Sequence, residues 1–298
     1  MSLSKVVIIQ DKQTFSGKEL DSHRLKQMFL KGLSLLMGEI KIGNALRLLF
    51  RSTERIGIKI NTIGGKFLST APETALSLVH ILSHDSDFPK QRIIVWDRTN
   101  RELKEAGYRF NTSRNNTKIF GTDTQGVGYD NRLVSYRSIG SLYSSIQSRM
   151  ITASISLSVL KDHGLAGITG SMKNYFGAIH NPNKYHDNHC DPFVADLFDS
   201  PWIKQKHRLS ILDAIRVQYH RGPSYHSRWA EDCGMLIFSQ DPVAADTVGW
   251  DLIERLRSKK GLPTLKEENR EPVNLKTAES LGLGNATLNN ITILHEEL

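Results

Sequence analysis

The sequence predicts an α/β fold with a mostly parallel sheet that is flanked by helices on both faces. In the first hundred residues, short apolar runs alternate with amphipathic helical patterns, which is the order of a parallel sheet with crossover helices. The chain has 298 residues, a length that suits one large core better than two full domains. We therefore expect a single domain over residues 1–298, with room for a small lobe around 180–232.

Hydrophobic periodicity and capping signals define the individual elements. Strands are predicted at Lys5–Gln10, Arg55–Asn61, Arg92–Asp97, Arg132–Arg137, Ile151–Val159, Leu209–Ile215, Met235–Ser239 and Ile291–Leu294. Helices are predicted at Glu19–Met37, from Pro72 onward, after Asp97 through Ala106, and at Pro242–Arg257. Asp241 precedes Pro242 and is expected to cap the last of these helices. The charged segment Ser258–Pro272 is predicted to be a loop.

The overall charge narrows the class of partner. A formal net charge of +8 suits an anionic ligand, a nucleic acid or an acidic surface, and a solubilising surface is the simpler explanation. The sequence has no Lys/Arg stripe with interleaved aromatic residues, so nucleic acid is not expected. It also has no run of about 18 apolar residues, so no membrane span is expected. The sequence does not indicate an oligomeric state.

Two further features concern cysteine chemistry and location. Cys190 and Cys233 form no CxxC pair, so neither a zinc knuckle nor an iron–sulfur cluster is expected. The sequence leaves open whether these two cysteines form a disulfide. Strand-like sequence begins almost at once, so no signal peptide is expected in this sequence, and a cytoplasmic location is the alternative to export. The opening Met1-Ser2-Leu3 can equally be an expression remnant that follows the removal of a natural leader.

The stretch Lys161–Asp191 is the richest in chemistry, and seven of the eleven histidines fall between His163 and His226. Glycines such as Gly167 and Gly170 let the backbone approach a ligand closely. With Thr169 and Asn174, this turn is predicted to bind an anion through backbone N–H groups. Lys173 would add a point charge, or a nucleophilic amine if burial lowers its pKa, and His163 would move protons.

The same stretch also offers metal ligands. His180 and His186 carry the imidazoles that nickel, zinc or iron bind, and His189 and Cys190 follow closely. Their spacing matches no standard zinc signature. The alternative is a loop whose histidines form hydrogen bonds with the backbone.

Ligands of parallel sheets bind at the carboxyl ends of strands. Candidates there are Lys59 and Asn61 after the second strand and Arg98 and Thr99 after the third, unless these residues serve only turns and caps. Arg98 could clamp a carboxylate or phosphate with two hydrogen bonds, whereas Asp97 is interpreted as a helix cap.

A further candidate follows the strand Leu209–Ile215. Asp213 could orient His220 as a general base. It could instead form an ion pair with Arg216, and the sequence leaves both interpretations open.

These residues resemble the DUF362 family, which has no established activity. The resemblance rests on Ile56–Asn61 with Gly64-Gly65, Trp96–Thr99, Leu160–His163, Gly167–Gly177, His180–His186 and Asp241–Ala244. It covers nearly the whole chain, and Lys161 to Gly177 is its most specific part. Some relatives carry a ferredoxin-like module, whose cysteines this chain lacks. The most similar relatives often carry a twin-arginine leader, which implies a periplasmic location.

A fainter similarity is to the N-terminal domain of nickel-dependent lactate racemase. His163, Gly167–Gly170 and Lys173 look like the residues that tether its nickel-pincer nucleotide, and His180 or His186 like its metal-binding histidine. The racemase's Asp-His-Thr-Arg motif and its second-loop histidine are absent here, which argues against racemase activity.

The candidate residues, the family resemblance and the net charge together suggest three classes of function. The first is an enzyme of the isomerase or oxidoreductase class, with a small anionic substrate or a metal- or nucleotide-derived cofactor. The second is an anion- or metal-binding protein without turnover. The third, a nucleic-acid binder, rests on net charge alone.

Overall fold

The protein is described by a computed structural model that covers residues 3–16, 19–86 and 88–298. The strands are β1 Ser4–Gln10, β2 Phe15–Ser16, β3 Glu19–Leu20, β4 Ile56–Ile60, β5 Ile93–Asp97, β6 Lys118–Gly121, β7 Val134–Tyr136, β8 Ile139–Ser141, β9 Ala153–His163, β10 Gly167–Thr169, β11 His207–Gln218, β12 Ala230–Ser239 and β13 Ile291–Glu297. The α-helices are α1 Ser22–Met37, α2 Ile42–Leu49, α3 Pro72–His84, α4 Asn100–Glu105, α5 Phe193–Asp199, α6 Pro201–Lys204, α7 Pro242–Lys259 and α8 Asn274–Ser280.

A nine-stranded sheet organises the molecule, in the order β13-β1-β12-β11-β9-β4-β5-β6 with β10 paired to β9. The block β11-β9-β4-β5-β6 is parallel throughout. The pairs β1–β12, β11–β12 and β10–β9 are antiparallel. The sheet is therefore mixed but mostly parallel, and the predicted fold class is confirmed.

Helices cover both faces of this sheet because the strands are apolar on both sides. On one face, α1 and α3 bury Leu25, Phe29 and Leu78 against the strands. On the other face, α7 buries Val248 and Leu252. In the described part of the chain, no helix is both long and apolar enough to cross a membrane.

The capping prediction for α7 is confirmed. The Asp241 carboxylate accepts hydrogen bonds from the backbone N–H groups of Val243 and Ala244, at 2.8 and 2.9 Å. Helix α1 begins later than predicted, at Ser22, because the Asp21 side chain caps it. Glu19 belongs instead to the short strand β3.

Other boundaries differ because distant segments pair with the predicted elements. Strand β9 does not end at Val159 but continues to His163, since β10 folds back onto its last residues. The strand predicted at Arg132–Arg137 shortens to β7, which pairs only with β8 in a separate hairpin. Also absent from the prediction were the helices α2, α5, α6 and α8 and the strands β2, β3, β6, β8 and β10.

A small lobe was expected around 180–232. This segment contains α5 and α6, and it contributes β11 to the central sheet. The two cysteines, Cys190 and Cys233, are free buried thiols. The opening Met1-Ser2 lies outside the described residues.

Two helical glycines make a matched test of packing. A Cβ at Gly32 on α1 would overlap the Phe238 ring, whereas one at Gly43 on α2 would meet only the Arg47 guanidinium at 3.7 Å. We expect Gly32→Ala to lower the free energy of unfolding by about 1–3 kcal/mol through overpacking. Gly43→Ala should raise it by up to about 1 kcal/mol through helix propensity. Urea denaturation of both variants measures this, and equal effects would contradict the packing of α1.

Candidate functional site

A cavity of about 230 Å³ opens at the carboxyl edge of the parallel block. Strands β4, β5 and β9 run in the same direction there, so residues that follow or end these strands meet at one edge. Predicted site residues that line the cavity are Lys59, Asn61, Arg98, His163, Thr169, Lys173, Asn174 and His186. Asp97 and Lys161 line it as well. The structure thus brings most of the predicted site together.

A buried ion pair between Lys59 and Asp97 lines the cavity. The Lys59 Nζ atom lies 2.6 Å from Asp97 Oδ1 and also donates to the Ile60 carbonyl and the Asn174 side-chain oxygen. The second Asp97 oxygen accepts from both the backbone N–H and the hydroxyl of Thr62. Every strong hydrogen-bonding position of this pair is therefore used within the protein.

The interpretation of Asp97 as a helix cap is wrong. Helix α4 is capped by Thr99, whose hydroxyl accepts a hydrogen bond from the Glu102 N–H at 3.2 Å. Thr99 does not line the cavity.

Lys161 is buried and holds the loop that follows β4. Its amine donates to the Asn61 side-chain oxygen at 3.1 Å, to the Leu68 carbonyl at 3.3 Å and to the Ile63 carbonyl. Burial lowers the pKa of Lys161 to about 7, while the Asp97 charge opposes this shift. All three of its N–H donors are occupied, so Lys161 contributes charge rather than a free amine.

Lys173 is held more loosely. Its Nζ atom lies 3.1 Å from His186 Nε2 and 4.4 Å from the centre of the Phe176 ring. Among the described residues no carboxylate forms an ion pair with it. Burial lowers the pKa of the Lys173 amine to about 8, as expected for an ammonium group that has lost hydration.

The hydrogen bonds of the two cavity histidines fix their tautomers. His163 Nδ1 accepts from the N–H groups of Leu165 and Ala166, at 3.2 and 3.1 Å, so its proton is on Nε2. His186 Nδ1 donates to the Pro182 carbonyl at 3.1 Å, which leaves Nε2 as an acceptor. Burial lowers the pKa of both, that of His163 to about 2.

The role predicted for His163 therefore changes. Its unprotonated nitrogen, Nδ1, already accepts two backbone hydrogen bonds, and a proton gained there would break them and leave a buried imidazolium. The geometry makes His163 a hydrogen-bond donor through Nε2–H rather than a group that moves protons.

The glycine turn is also different from the prediction. The backbone N–H groups of Ser171 and Met172 bind the carboxylate of Asp246, at 2.5 and 3.1 Å. A Cβ at Gly170 would collide with that carboxylate, and one at Gly167, where φ is +75°, would collide with the Arg270 carbonyl. The turn does form an anion site, but a side chain of the protein fills it, and neither glycine lines the cavity.

Arg98 supplies the remaining cation at the cavity wall. One of its terminal nitrogens lies 3.7 Å from Glu102 Oε1, and its Nε atom is buried without a hydrogen-bond partner among the described residues. Asn174 is fixed by donating to the Lys59 carbonyl and the Ser156 hydroxyl, at 2.8 and 3.0 Å.

Asp213 lies apart from the cavity. It is buried on β11, where burial raises its pKa to about 7 and the Ile215 N–H opposes this shift. Arg216 pairs with Asp232, at 2.5 Å, and His220 contacts Arg257. Neither predicted arrangement of Asp213 is therefore formed.

The two histidines proposed as metal ligands are not brought together in the cavity. His180 is exposed, and its ring meets Tyr129 edge-on at 5.1 Å, whereas His186 lines the cavity. In the described ranges, no group of three or more His, Cys, Asp or Glu side chains could hold a metal ion. The structure does not support the predicted pair.

Sequence reasoning gave no role to Lys161, although the signal was present. Alternation along a strand puts Lys161 and His163 on one face and Asp162 on the other. Asp162 indeed turns away from the cavity and binds Arg270 at 2.7 Å and the Gly222 N–H at 2.8 Å. Extending the predicted strand past Val159 would have revealed this division.

Fold and site together define an α/β protein with a cationic cavity at the carboxyl edge of its sheet. The chain belongs to the DUF362 family, whose model, described as a domain of unknown function, matches residues 56–251. The resemblance drawn from the sequence is confirmed. No curated protein matches the sequence.

A solved structure with a similar chain course is that of a Thermotoga maritima protein from a structural genomics consortium. The two share 11% identity at a TM-score of 0.45, over 83% of this chain and 61% of that protein. This chain thus spans less than two thirds of the length of that protein.

The buried Lys59–Asp97 ion pair can be tested directly by substitution. Asp97→Asn leaves the Lys59 ammonium buried without a counter-charge, so we expect the free energy of unfolding to fall by about 3–5 kcal/mol. The control is Asp85→Asn, which breaks a partly exposed pair with Lys26 and should cost less than about 1 kcal/mol. Chemical denaturation measures both, and similar losses would show that the Lys59–Asp97 pair is not buried as described.

Proposed function

We propose that this protein is an enzyme that acts on a small anionic substrate held in the cationic cavity. The observation that carries this proposal is the excess of cationic over anionic side chains around the cavity. Lys59, Lys161, Lys173 and Arg98 line the cavity, and Asp97 is the carboxylate that lines it with them. Asp97 is already paired with Lys59, and Arg98 lies 3.7 Å from Glu102 Oε1. An anion would therefore meet the charges of Lys161 and Lys173, which no carboxylate of the described residues neutralises.

The size of the cavity limits the substrate. A volume of about 230 Å³ lies below the roughly 300–1,000 Å³ of pockets for drug-sized ligands. A carboxylate or phosphate ester with few heavy atoms suits this space, whereas a full dinucleotide does not.

The contact between Lys173 and His186 supports turnover. The Lys173 amine, whose pKa is lowered to about 8, donates to His186 Nε2, so the two groups are placed to pass a proton. The pKa of His186 is lowered as well, so the imidazole would hold that proton only during the reaction. Proton transfer next to a carboxylate is the chemistry of an isomerase, and an oxidoreductase would need a redox partner in addition. These two reaction classes are the ones we propose.

A resident metal does not fit the side chains of the cavity alone. His163 Nδ1 is occupied by backbone donors, and His186 Nε2 accepts from Lys173. A metal would have to displace these contacts, so the proposed chemistry involves no metal step.

The alternative is an anion-binding protein without turnover. It is favoured by His163, which is fixed as a donor, and by Lys161, whose donors are fully used. Both are properties of a rigid binding site. Turnover of any small carboxylate that is lost in a Lys173 variant would decide between the two.

Anion binding should weaken as pH rises. Lys161 and Lys173 lose their protons as pH passes about 7 and about 8, so the attraction for an anion is present below these values and lost above them. We expect the affinity for sulfate, whose own charge is constant, to fall about tenfold or more between about pH 6 and pH 9, a change of at least about 1.4 kcal/mol. Isothermal titration calorimetry measures this.

Two variants isolate the contribution of Lys173. Lys173→Met should weaken sulfate binding at about pH 6, and Lys173→Arg should retain affinity at high pH because a guanidinium stays charged. Lys184→Met, which removes an exposed lysine from the same segment, is the control and should bind as the wild type does. Sulfate binding that depends on neither pH nor Lys173 would rule out the proposed site.

A further inference from the structure

The three lysines of the cavity differ in how many of their hydrogens are committed. Lys59 donates to Asp97, Ile60 and Asn174, and an ammonium group has only three donors. Lys161 is likewise bound to three oxygen atoms. The lone pair of either amine could be exposed only after these bonds broke, so neither lysine is placed to act as a nucleophile.

Lys173 is the exception. Its one described hydrogen-bond partner is His186 Nε2 at 3.1 Å, and its other neighbour is the apolar face of Phe176. Two of its three donor positions therefore remain for a molecule in the cavity. The surroundings that disfavour its charge also leave a neutral amine accessible near neutral pH.

His186 is oriented to receive the proton that such an amine must lose. Its Nδ1–H donates to the Pro182 carbonyl, so the nitrogen that faces Lys173 carries a lone pair. His163, which stacks on His186 with ring centres 5.6 Å apart, presents an Nε2–H donor instead. The cavity thus combines an amine, a proton acceptor and a proton donor.

From this arrangement we propose that Lys173 forms an imine with the carbonyl group of its substrate, which we assign to the class of small anions that carry a ketone or aldehyde, such as 2-oxo acids. The assignment rests on the anionic substrate proposed above and adds the carbonyl. The substrate's anionic group would lie against Lys161, whose three partners are neutral oxygens, and against Arg98, whose contact with Glu102 is long at 3.7 Å.

The step is balanced without a further reactant. The Lys173 ammonium gives a proton to His186 Nε2, and the neutral amine adds to the carbonyl carbon, so a C–N bond forms and the carbonyl π pair moves to oxygen. The oxygen takes up one proton from the attacking nitrogen and one from His186, and then leaves as water. Amine and carbonyl become imine and water, and His163 Nε2–H can stabilise the negative oxygen meanwhile.

Reductive trapping tests this proposal. Wild-type protein is incubated separately with glyoxylate, pyruvate and dihydroxyacetone phosphate, in each case with sodium cyanoborohydride, which reduces an imine to a stable secondary amine. Intact-mass spectrometry should show one reduced adduct with at least one of the three probes, and peptide mapping should place it on Lys173. Lys173→Arg, which keeps the positive charge but lacks the nucleophile, should show no such adduct.

The exposed Lys184 is the matched control, and Lys184→Arg should be trapped as fully as the wild type. Labelling spread over exposed lysines, with Lys173 no more modified than Lys184, would overturn the imine. No adduct with any probe, while sulfate still binds in a Lys173-dependent way, would also overturn it but leave the anion site intact. Loss of both trapping and sulfate binding would remove the two proposals together.

Discussion

The ion pair between Lys59 and Asp97 is the interaction on which the site depends. Burying two charges carries a large desolvation cost, which is offset only when every remaining hydrogen-bonding position is filled. Here the Ile60 carbonyl, Asn174 and Thr62 fill those positions. The pair consequently joins the ends of β4 and β5 to the turn that carries Lys173, so the cavity and the sheet edge are ordered by the same contacts.

The remaining cations are stabilised by different means. Lys161 is held by carbonyl and amide oxygens, which stabilise an ammonium group without neutralising it. Lys173 has a neutral imidazole and an aromatic face. Charge that is held in place but not balanced is the condition under which an anionic ligand gains most from binding. The proposed substrate class and the reactivity of Lys173 both follow from this imbalance.

Much of the site could be predicted because the carboxyl ends of parallel strands lie at the same edge of the sheet. Lys59, Asn61 and Arg98 were located by that rule alone, and Lys173 by its place in the glycine-rich stretch. The rule could not show that Asp246, from the distant helix α7, fills the backbone anion site at Ser171. Competition between a ligand and a side chain for the same N–H groups is decided by packing over long sequence separations.

The sequence by itself determined the α/β class, the strand ends that form the cavity and the basic character of their residues, because these follow from local periodicity and composition. Only the tertiary structure decided which histidines face the cavity, which nitrogen of each carries the proton and which lysine keeps free donors. Those properties depend on hydrogen-bond partners that come from other elements. His163 and His180 look alike in sequence, yet one is buried against backbone donors and the other is exposed beside Tyr129.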